Sequence, residues 1–302
     1  MGNIGSSTEC QHRRALRHRL HQAIVDDDVV EVKELLKLTS PNFVYAEAGD
    51  ESRFMKTPLL VAISLQRIKM VQILVTAGAD CNMGIGPLGL PIQKAALKND
   101  VTYVEALLEG DANPNLPDRA DGITALYLSV RNNNLKMVSA LLSAKANPNS
   151  HHKTHKVPLL KAVKCAYVDI VMELLSRGAN ANAHDKYGRL PINWAFNRSS
   201  YKNVADCNKM VKLLLYSNAD VNKQNFCGLT PLHYASSRKD MWELEDFVRD
   251  MRDSVSVPNF QWLLQNQNQI DQARNARSIA DRARYAPSGK SQTKPQICFM
   301  TT

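Results

Sequence analysis

A unit of 33 or 34 residues, lengthened once to 40, recurs through most of this 302-residue chain and limits the folds that it can adopt. Three landmarks define the unit: an opening proline or its equivalent, a closing alanine, and an asparagine three residues after the alanine. The openings fall at Pro58, Pro91, Ala125, Pro158, Pro191 and Pro231, and the asparagines at Asn82, Asn115, Asn149, Asn182 and Asn222. A short, constant period is typical of a solenoid, whose repeats bury their apolar faces only against each other.

Residues 157–195 show what one unit contains. Pro158 suits the first turn of a helix, where its missing N–H would be unpaired in any case. The apolar residues that follow recur at spacings of three and four, the period of a helix with one buried face. Gly178 can adopt the left-handed conformation that ends a helix. The pattern predicts two short helices followed by a polar, hairpin-like loop.

The residues of these units resemble those of ankyrin repeats. Thr230 to Ala235 spell T-P-L-H-Y-A, which is similar to the opening of such a repeat, and Gly78 to Asn82 are similar to its G-A-D-V-N loop. The resemblance implies an all-α solenoid of about six to eight repeats, including degenerate repeats at both ends. Two kinds of position depart from the pattern. The histidine is replaced in every repeat but 230–235, by Leu60, Gln93, Tyr127, Leu160 and Asn193, and the glycine is replaced by Lys145 and Asn218.

The predicted repeat domain spans residues 18–285, between a basic segment at 1–17 and a disordered tail at 286–302. Its first, degenerate repeat contains Asp26 to Asp28, which are expected to cap a second helix. Full repeats are predicted near 57–82, 90–115, 124–149, 157–182, 190–222 and 230–271, with insertions near 197–203 and 241–260.

The N-terminal residues M-G-N-I-G-S match the pattern for N-myristoylation at Gly2. One myristoyl chain anchors a protein only marginally, so a second signal is expected. Palmitoylation of Cys10 or the nearby arginines could supply it by binding an anionic membrane surface. The alternative is a disordered, basic start to the first helix.

Most of the net charge of +9 lies in residues 150–240, which carry 14 basic and 6 acidic residues. The family resemblance implies binding through loop tips and the inward side of the first helices. Aligning the repeats places the following predicted partner-binding residues at loop tips or on first helices: Lys153, Lys156, Lys161, Lys164, Lys186, Tyr187, Arg189, Arg198, Phe226 and Arg238. A surface of one sign favours a partner of the opposite sign, and Tyr187 and Phe226 supply apolar anchors. Two alternatives remain open: a solvated basic face without a partner, or binding of the acidic 241–260 insertion in cis.

No motif for catalysis or cofactor binding was found. The chain lacks a phosphate-binding loop, a nucleophile elbow and a metalloprotease helix. His151, His152 and His155 lack a carboxylate or thiolate at helical spacing, so no metal site is predicted. The six cysteines lie far apart, which indicates reduced thiols. We expect no enzyme activity and no cofactor.

These observations predict a monomeric, cytoplasmic scaffold or adaptor that binds an acidic peptide or protein surface. Acylation of Gly2 would make it a peripheral membrane protein. The alternative is a nuclear or cytosolic regulator that masks or contacts a nucleic-acid-binding complex. Direct contact with nucleic acid is not favoured, because the sequence lacks a recognition helix and an array of stacking aromatic residues.

Overall fold

The computed structural model describes residues 4–44, 56–84, 89–118, 122–150, 156–196, 204–231 and 234, with side chains from residue 11 onward and, in the last helix, from residue 206. The described residues form an all-helical array, which confirms the predicted fold class. The helices are α1 (Ile4–Asp26), α2 (Val29–Leu38), α3 (Pro58–Ser64), α4 (Ile68–Thr76), α5 (Pro91–Lys98), α6 (Val101–Glu109), α7 (Ala125–Arg131), α8 (Leu135–Ser143), α9 (Pro158–Lys164), α10 (Val168–Ser176), α11 (Pro191–Ala195) and α12 (Val204–Tyr216). The chain divides into two compact units, residues 1–161 and 162–302.

In the first unit, successive helices pack as pairs, α1 with α2, α3 with α4, α5 with α6 and α7 with α8. First helices also pack on first helices, and second helices on second helices, in the adjoining pairs. This two-row stacking buries the apolar stripes between repeats, with Leu60, Met70, Val104 and Leu141 fully inaccessible. The second unit buries Ile170, Leu174, Met210 and Leu214 in the same manner, and α12 packs on both α10 and α11.

Polar side chains cap the N-termini of several helices. The Thr57 hydroxyl accepts a hydrogen bond from the Leu60 N–H at 3.2 Å, immediately before Pro58 opens α3. Asp28 caps α2, because its Oδ1 accepts the N–H groups of Val30 and Glu31, each at 3.0 Å. The predicted capping role of this acidic segment is therefore confirmed. Such caps satisfy N–H groups that have no partner within the helix.

The second helices end at residues with positive φ. Gly78 and Gly178 have φ angles of 81° and 82°, as the sequence predicted. Asp111, Lys145 and Asn218 replace the glycine in three repeats and adopt φ angles of 60°, 63° and 63°. The replacement at Asp111 was not predicted. This conformation costs a residue with a side chain about 1 kcal/mol. The loop nevertheless keeps the same backbone conformation at the substituted positions.

The recurring asparagine joins one loop to the next. The Asn82 side chain donates through Nδ2 to the Asp111 carbonyl at 3.1 Å and accepts the Asn113 N–H at 2.7 Å. Asn115 makes the same pair of bonds to Lys145 and Asn147, at 3.1 and 2.6 Å. The pattern also holds for Asn42 in the first unit and for Asn182 in the second. We call this set of asparagines the ladder.

Several predicted features lie outside the described residues. They are the N-terminal Gly2, both predicted insertions, the 286–302 tail, and the side chains of Cys10, Lys153, Arg198, Arg238 and the three histidines at 151, 152 and 155. No helix within the described ranges is both long and apolar enough to cross a membrane.

Candidate partner-binding surface

The second unit contains two tight loops, residues 185–189 and 225–229, which we call the fingers. In the first finger, Asp185 Oδ1 accepts the N–H groups of Tyr187 and Arg189, both at 2.9 Å. In the second, Asn225 Oδ1 accepts those of Cys227 and Leu229, also at 2.9 Å. Each loop closes when the N–H of its first residue donates to the carbonyl of its last at 3.0 Å. The two fingers therefore hold their tip residues in the same way.

The finger tips contact each other. The Phe226 N–H donates to the Tyr187 carbonyl at 3.2 Å. The Phe226 ring lies against Gly188, where an added Cβ would come within 2.8 Å of the ring. Only glycine permits this approach, and its φ of 75° also favours glycine. Tyr187 and Phe226 are nevertheless 50% and 74% exposed, so the joined tips present two aromatic rings to solvent.

Three cations lie over two aromatic rings beside the first finger. The Arg189 guanidinium carbon is 4.6 Å from the centroid of the Tyr187 ring and 4.3 Å from that of Trp194. The Lys186 ammonium lies 4.8 Å from the Tyr187 ring, and the Lys164 ammonium 4.5 Å from the Trp194 ring. These separations permit cation–π attraction. We call these five residues the cation–aromatic cluster.

The cluster carries a net positive charge. Arg189 Nε donates to Asp185 Oδ2 at 2.7 Å, which neutralises the guanidinium. Within the described part of the chain, neither Lys164 nor Lys186 pairs with a carboxylate. Tyr234, whose hydroxyl accepts the Asn225 Nδ2–H at 2.8 Å, adds no negative charge, because burial raises the pKa of this phenol. The two ammonium groups are therefore available to an anion.

The structure brings together five of the ten predicted partner-binding residues. Lys164, Lys186, Tyr187, Arg189 and Phe226 all lie in the cluster or at the finger tips. Lys156 and Lys161 are partly exposed and belong to the first unit. The remaining three lie outside the described residues.

Two members of this site were not predicted. Trp194 is only 9% exposed but lies beside both Lys164 and Arg189. Asp185 was not singled out, although it and Asn225 share the pattern Asx-x-x-Gly-x, which closes both fingers. That shared pattern is a signal from which Asp185 could have been identified.

The described residues hold little that points to chemistry. They include no group of three or more histidine, cysteine, aspartate or glutamate side chains able to hold a metal ion. Burial raises the pKa of the Cys81 thiol to about 11, with further contributions from Asp80 and Asp111. This thiol is therefore protonated, and a poor nucleophile, at neutral pH.

Comparison with known proteins agrees with the repeat analysis. Residues 92–185 match the family model for ankyrin repeats in three copies, and residues 201–245 match that for ankyrin repeats in many copies. A search of curated proteins returned no match.

The solved structures similar to the chain include two ankyrin repeat domains. The ankyrin repeat domain of Bcl-3, a member of the IkappaB protein family, is 29% identical with a TM-score of 0.61, and the match covers 76% of this chain and 97% of that one. An ankyrin repeat domain from Acinetobacter baumannii is 28% identical with a TM-score of 0.56, over 67% of this chain and 98% of that one. The sequence landmarks, the stacked helix pairs and these matches lead to one conclusion: the chain is an ankyrin-repeat protein.

Proposed function

We propose that this protein is a non-catalytic interaction scaffold that binds an acidic peptide or protein surface through its cation–aromatic cluster and finger tips. Ankyrin repeats are generally protein-interaction modules, which supports the class of function. The observation that carries the proposal is that Lys164 and Lys186, which have no acidic partner among the described residues, lie over the Trp194 and Tyr187 rings. The Tyr187 and Phe226 rings beside them are exposed on locked loops.

Each part of the surface has a separate role in binding. Exposed aromatic side chains on a rigid loop can be buried by a partner at little cost in conformational entropy. The ammonium groups steer an acidic partner and fix its register more than they add affinity. Because hydrogen bonds to Asp185 and Asn225 hold the finger tips, little ordering would be needed on binding.

Affinity capture from nuclease-treated cell extract tests this function. The wild-type chain is compared with a Lys164→Glu, Lys186→Glu double variant and with a control, Lys69→Glu, Lys136→Glu, which reverses two exposed charges on second helices. Acidic proteins should be captured by the wild type and the control and lost from the first variant, with circular dichroism confirming that all three chains are folded. Capture of the same proteins by all three would refute the proposed binding surface.

A second candidate function is regulation of a nucleic-acid-binding complex. The basic character of residues 150–240 and the likeness to the IkappaB family member both favour it. Capture without nuclease treatment separates the two functions: partners that appear only while nucleic acid is intact support this second function and exclude direct binding of an acidic protein.

We also propose that the N-terminus attaches the scaffold to membranes through a myristoyl group on Gly2. Arg13 and Arg14 are exposed on α1, where they could meet anionic lipid. Mass spectrometry of the N-terminal peptide tests the modification, and a Gly2→Ala variant should leave the membrane fraction. An unmodified N-terminus on the cellular protein would refute this tether.

A further inference from the structure

The three cations of the cluster differ in how they are held. The Arg189 side chain is 16% exposed, lies beside the Tyr187 and Trp194 rings, and pairs with an Asp185 carboxylate of equal exposure. Lys164 and Lys186 are exposed, and each contacts one ring. The arginine is therefore part of the framework, whereas the lysines face solvent.

An anion would not displace Asp185 from Arg189 at low cost. The same carboxylate accepts the N–H groups of Tyr187 and Arg189, so moving it would leave three donors of the finger unpaired. The two donors from Arg189 are part-buried, so leaving them without partners would lower stability. An ammonium group over a ring, in contrast, keeps hydrogen-bonding capacity on its solvent side. An incoming carboxylate should therefore bind to the lysines.

The aromatic tips add a second requirement on the ligand. Phe226 is 74% exposed and is joined to Tyr187 by a main-chain hydrogen bond of 3.2 Å. A ligand that carried only negative charge would leave both rings in water. An apolar side chain next to the carboxylates would cover them and gain from the burial.

We propose that the partner is an acidic segment that also carries an apolar side chain. Its carboxylates pair with Lys164 and Lys186, and its apolar side chain packs against Tyr187 and Phe226. Arg189 is a positioning residue that holds the Tyr187 ring in place for this contact. This proposal rests on the proposed function and specifies the ligand of the same surface.

Two polymeric probes separate the charged part of the ligand from its apolar part. The full-length chain is titrated by calorimetry with poly-L-glutamate and with a copolymer of glutamate and tyrosine, at several NaCl concentrations. The wild type should bind the copolymer more tightly, and both affinities should fall as salt screens the charges. Equal affinity for the two probes, or stronger binding of single-stranded RNA than of the copolymer, overturns the proposal.

Neutralising the lysines tests the charged contacts. A Lys164→Gln, Lys186→Gln variant should bind both probes roughly two- to fivefold more weakly per lysine removed and with a flatter salt dependence. The matched control, Lys69→Gln, Lys136→Gln, removes the same charge from second helices and should bind like the wild type. Equal losses in the two double variants would show that only the net charge matters, and would overturn the assignment.

Two further variants test the apolar contact and the positioning role. Phe226→Ser should lose roughly tenfold in affinity for the copolymer, with an unchanged salt dependence and unchanged binding of polyglutamate. Arg189→Lys keeps the charge but removes the Nε donor to Asp185, and we expect it to lose the preference for the copolymer in the same way. If Arg189→Lys keeps that preference, the positioning role is refuted.

A second variant keeps the proposal testable if Arg189→Lys fails to fold. If Arg189→Lys is not folded by circular dichroism, Tyr187→Ser at the exposed tip provides the same comparison of the two probes. The proposed function can still hold if this inference fails: loss of captured proteins from the Lys164→Glu, Lys186→Glu variant, without any preference for the copolymer, would support the scaffold and refute the acidic–apolar ligand.

Discussion

Replacing Asn193 by glutamine should stabilise the second unit. Asn193 is 2% exposed and accepts the Leu190 N–H at 2.8 Å, but its Nδ2 has no hydrogen-bond partner among the described residues. Gln93 occupies the corresponding position in the first unit. Its amide donates to the carbonyls of Leu116 and Ile123 at 3.0 and 2.8 Å. The extra methylene of glutamine is what allows it to reach them.

The corresponding acceptors in the second unit are in place. By the register of the repeats, Lys223 and Leu229 stand where Leu116 and Ile123 stand in the earlier loop. The Leu229 carbonyl already accepts the Asn225 N–H at 3.0 Å, as the Ile123 carbonyl accepts that of Asp118 at 2.9 Å. Two new hydrogen bonds contribute about 1 kcal/mol each. Ordering the longer side chain costs about 0.5 kcal/mol, so the net gain should be about 1 to 2 kcal/mol.

Urea denaturation followed by circular dichroism measures this gain as a higher midpoint at an unchanged slope. Hydrogen exchange at the Asn225 amide should slow in parallel, because the finger it closes becomes more firmly held. Gln93→Asn is the reciprocal control and should lose about 2 kcal/mol, since it breaks the equivalent bonds. A folded Asn193→Gln chain with a midpoint at or below that of the wild type would refute the reasoning.

Three other changes test the fold. Asp28→Ala removes the cap of α2 and should cost about 1 kcal/mol in urea unfolding; no change would show that the cap is not stabilising. Asn115→Ala breaks two bonds of the ladder and should lower stability by about 1 to 2 kcal/mol, with faster exchange at the Asn147 amide as the local readout. The pKa of Cys81, raised by burial from 9.0 to about 11, means that the folded chain holds this proton more tightly than the unfolded chain does. The contribution of Cys81 to the free energy of unfolding is fully present below the pKa of the thiol in the unfolded chain. It decreases as the pH rises toward the pKa in the folded chain. The decrease in unfolding free energy across this range should be smaller for Cys81→Ala, and equal slopes would contradict the assignment.

The repeats could be predicted from sequence because their signals are local. Proline openings, apolar spacing and the positive-φ position are each set within a few residues, so the starts of α3, α5, α9 and α11 fall at the predicted prolines. The asparagine was predicted as a landmark without a role, because its hydrogen bonds reach a loop some thirty residues away.

The site could be predicted only in part for the same reason. The spacing of the repeats places Lys186, Tyr187 and Phe226 at loop tips, where the structure has them. The contact of Lys164 with Trp194 depends on how one first helix lies beside another, which no local pattern specifies. The pairing of Arg189 with Asp185 is local, because the two residues lie four apart within the Asx-x-x-Gly-x pattern that closes the finger. That pattern could have separated this arginine from the two lysines.

The ladder determines which mutations the loops can accept. Each asparagine side chain hydrogen-bonds only to main-chain atoms, and the carbonyl that it binds belongs in turn to Gly78, Asp111, Lys145 and Asn218, four different residues at one structural position. All four have positive φ, so a β-branched residue is disfavoured there, and proline cannot stand two residues later, where the N–H is needed. Proline is accepted one position beyond, as at Pro114 and Pro148. A third limit applies to the residue that supplies this N–H. It is aspartate or asparagine in every loop, and its Oδ1 accepts the N–H two residues later, at Asp80, Asn113, Asn147, Asn180 and Asp220. Outside these positions the loops can diversify without loosening the stack, and surfaces such as the fingers could be exchanged between repeats.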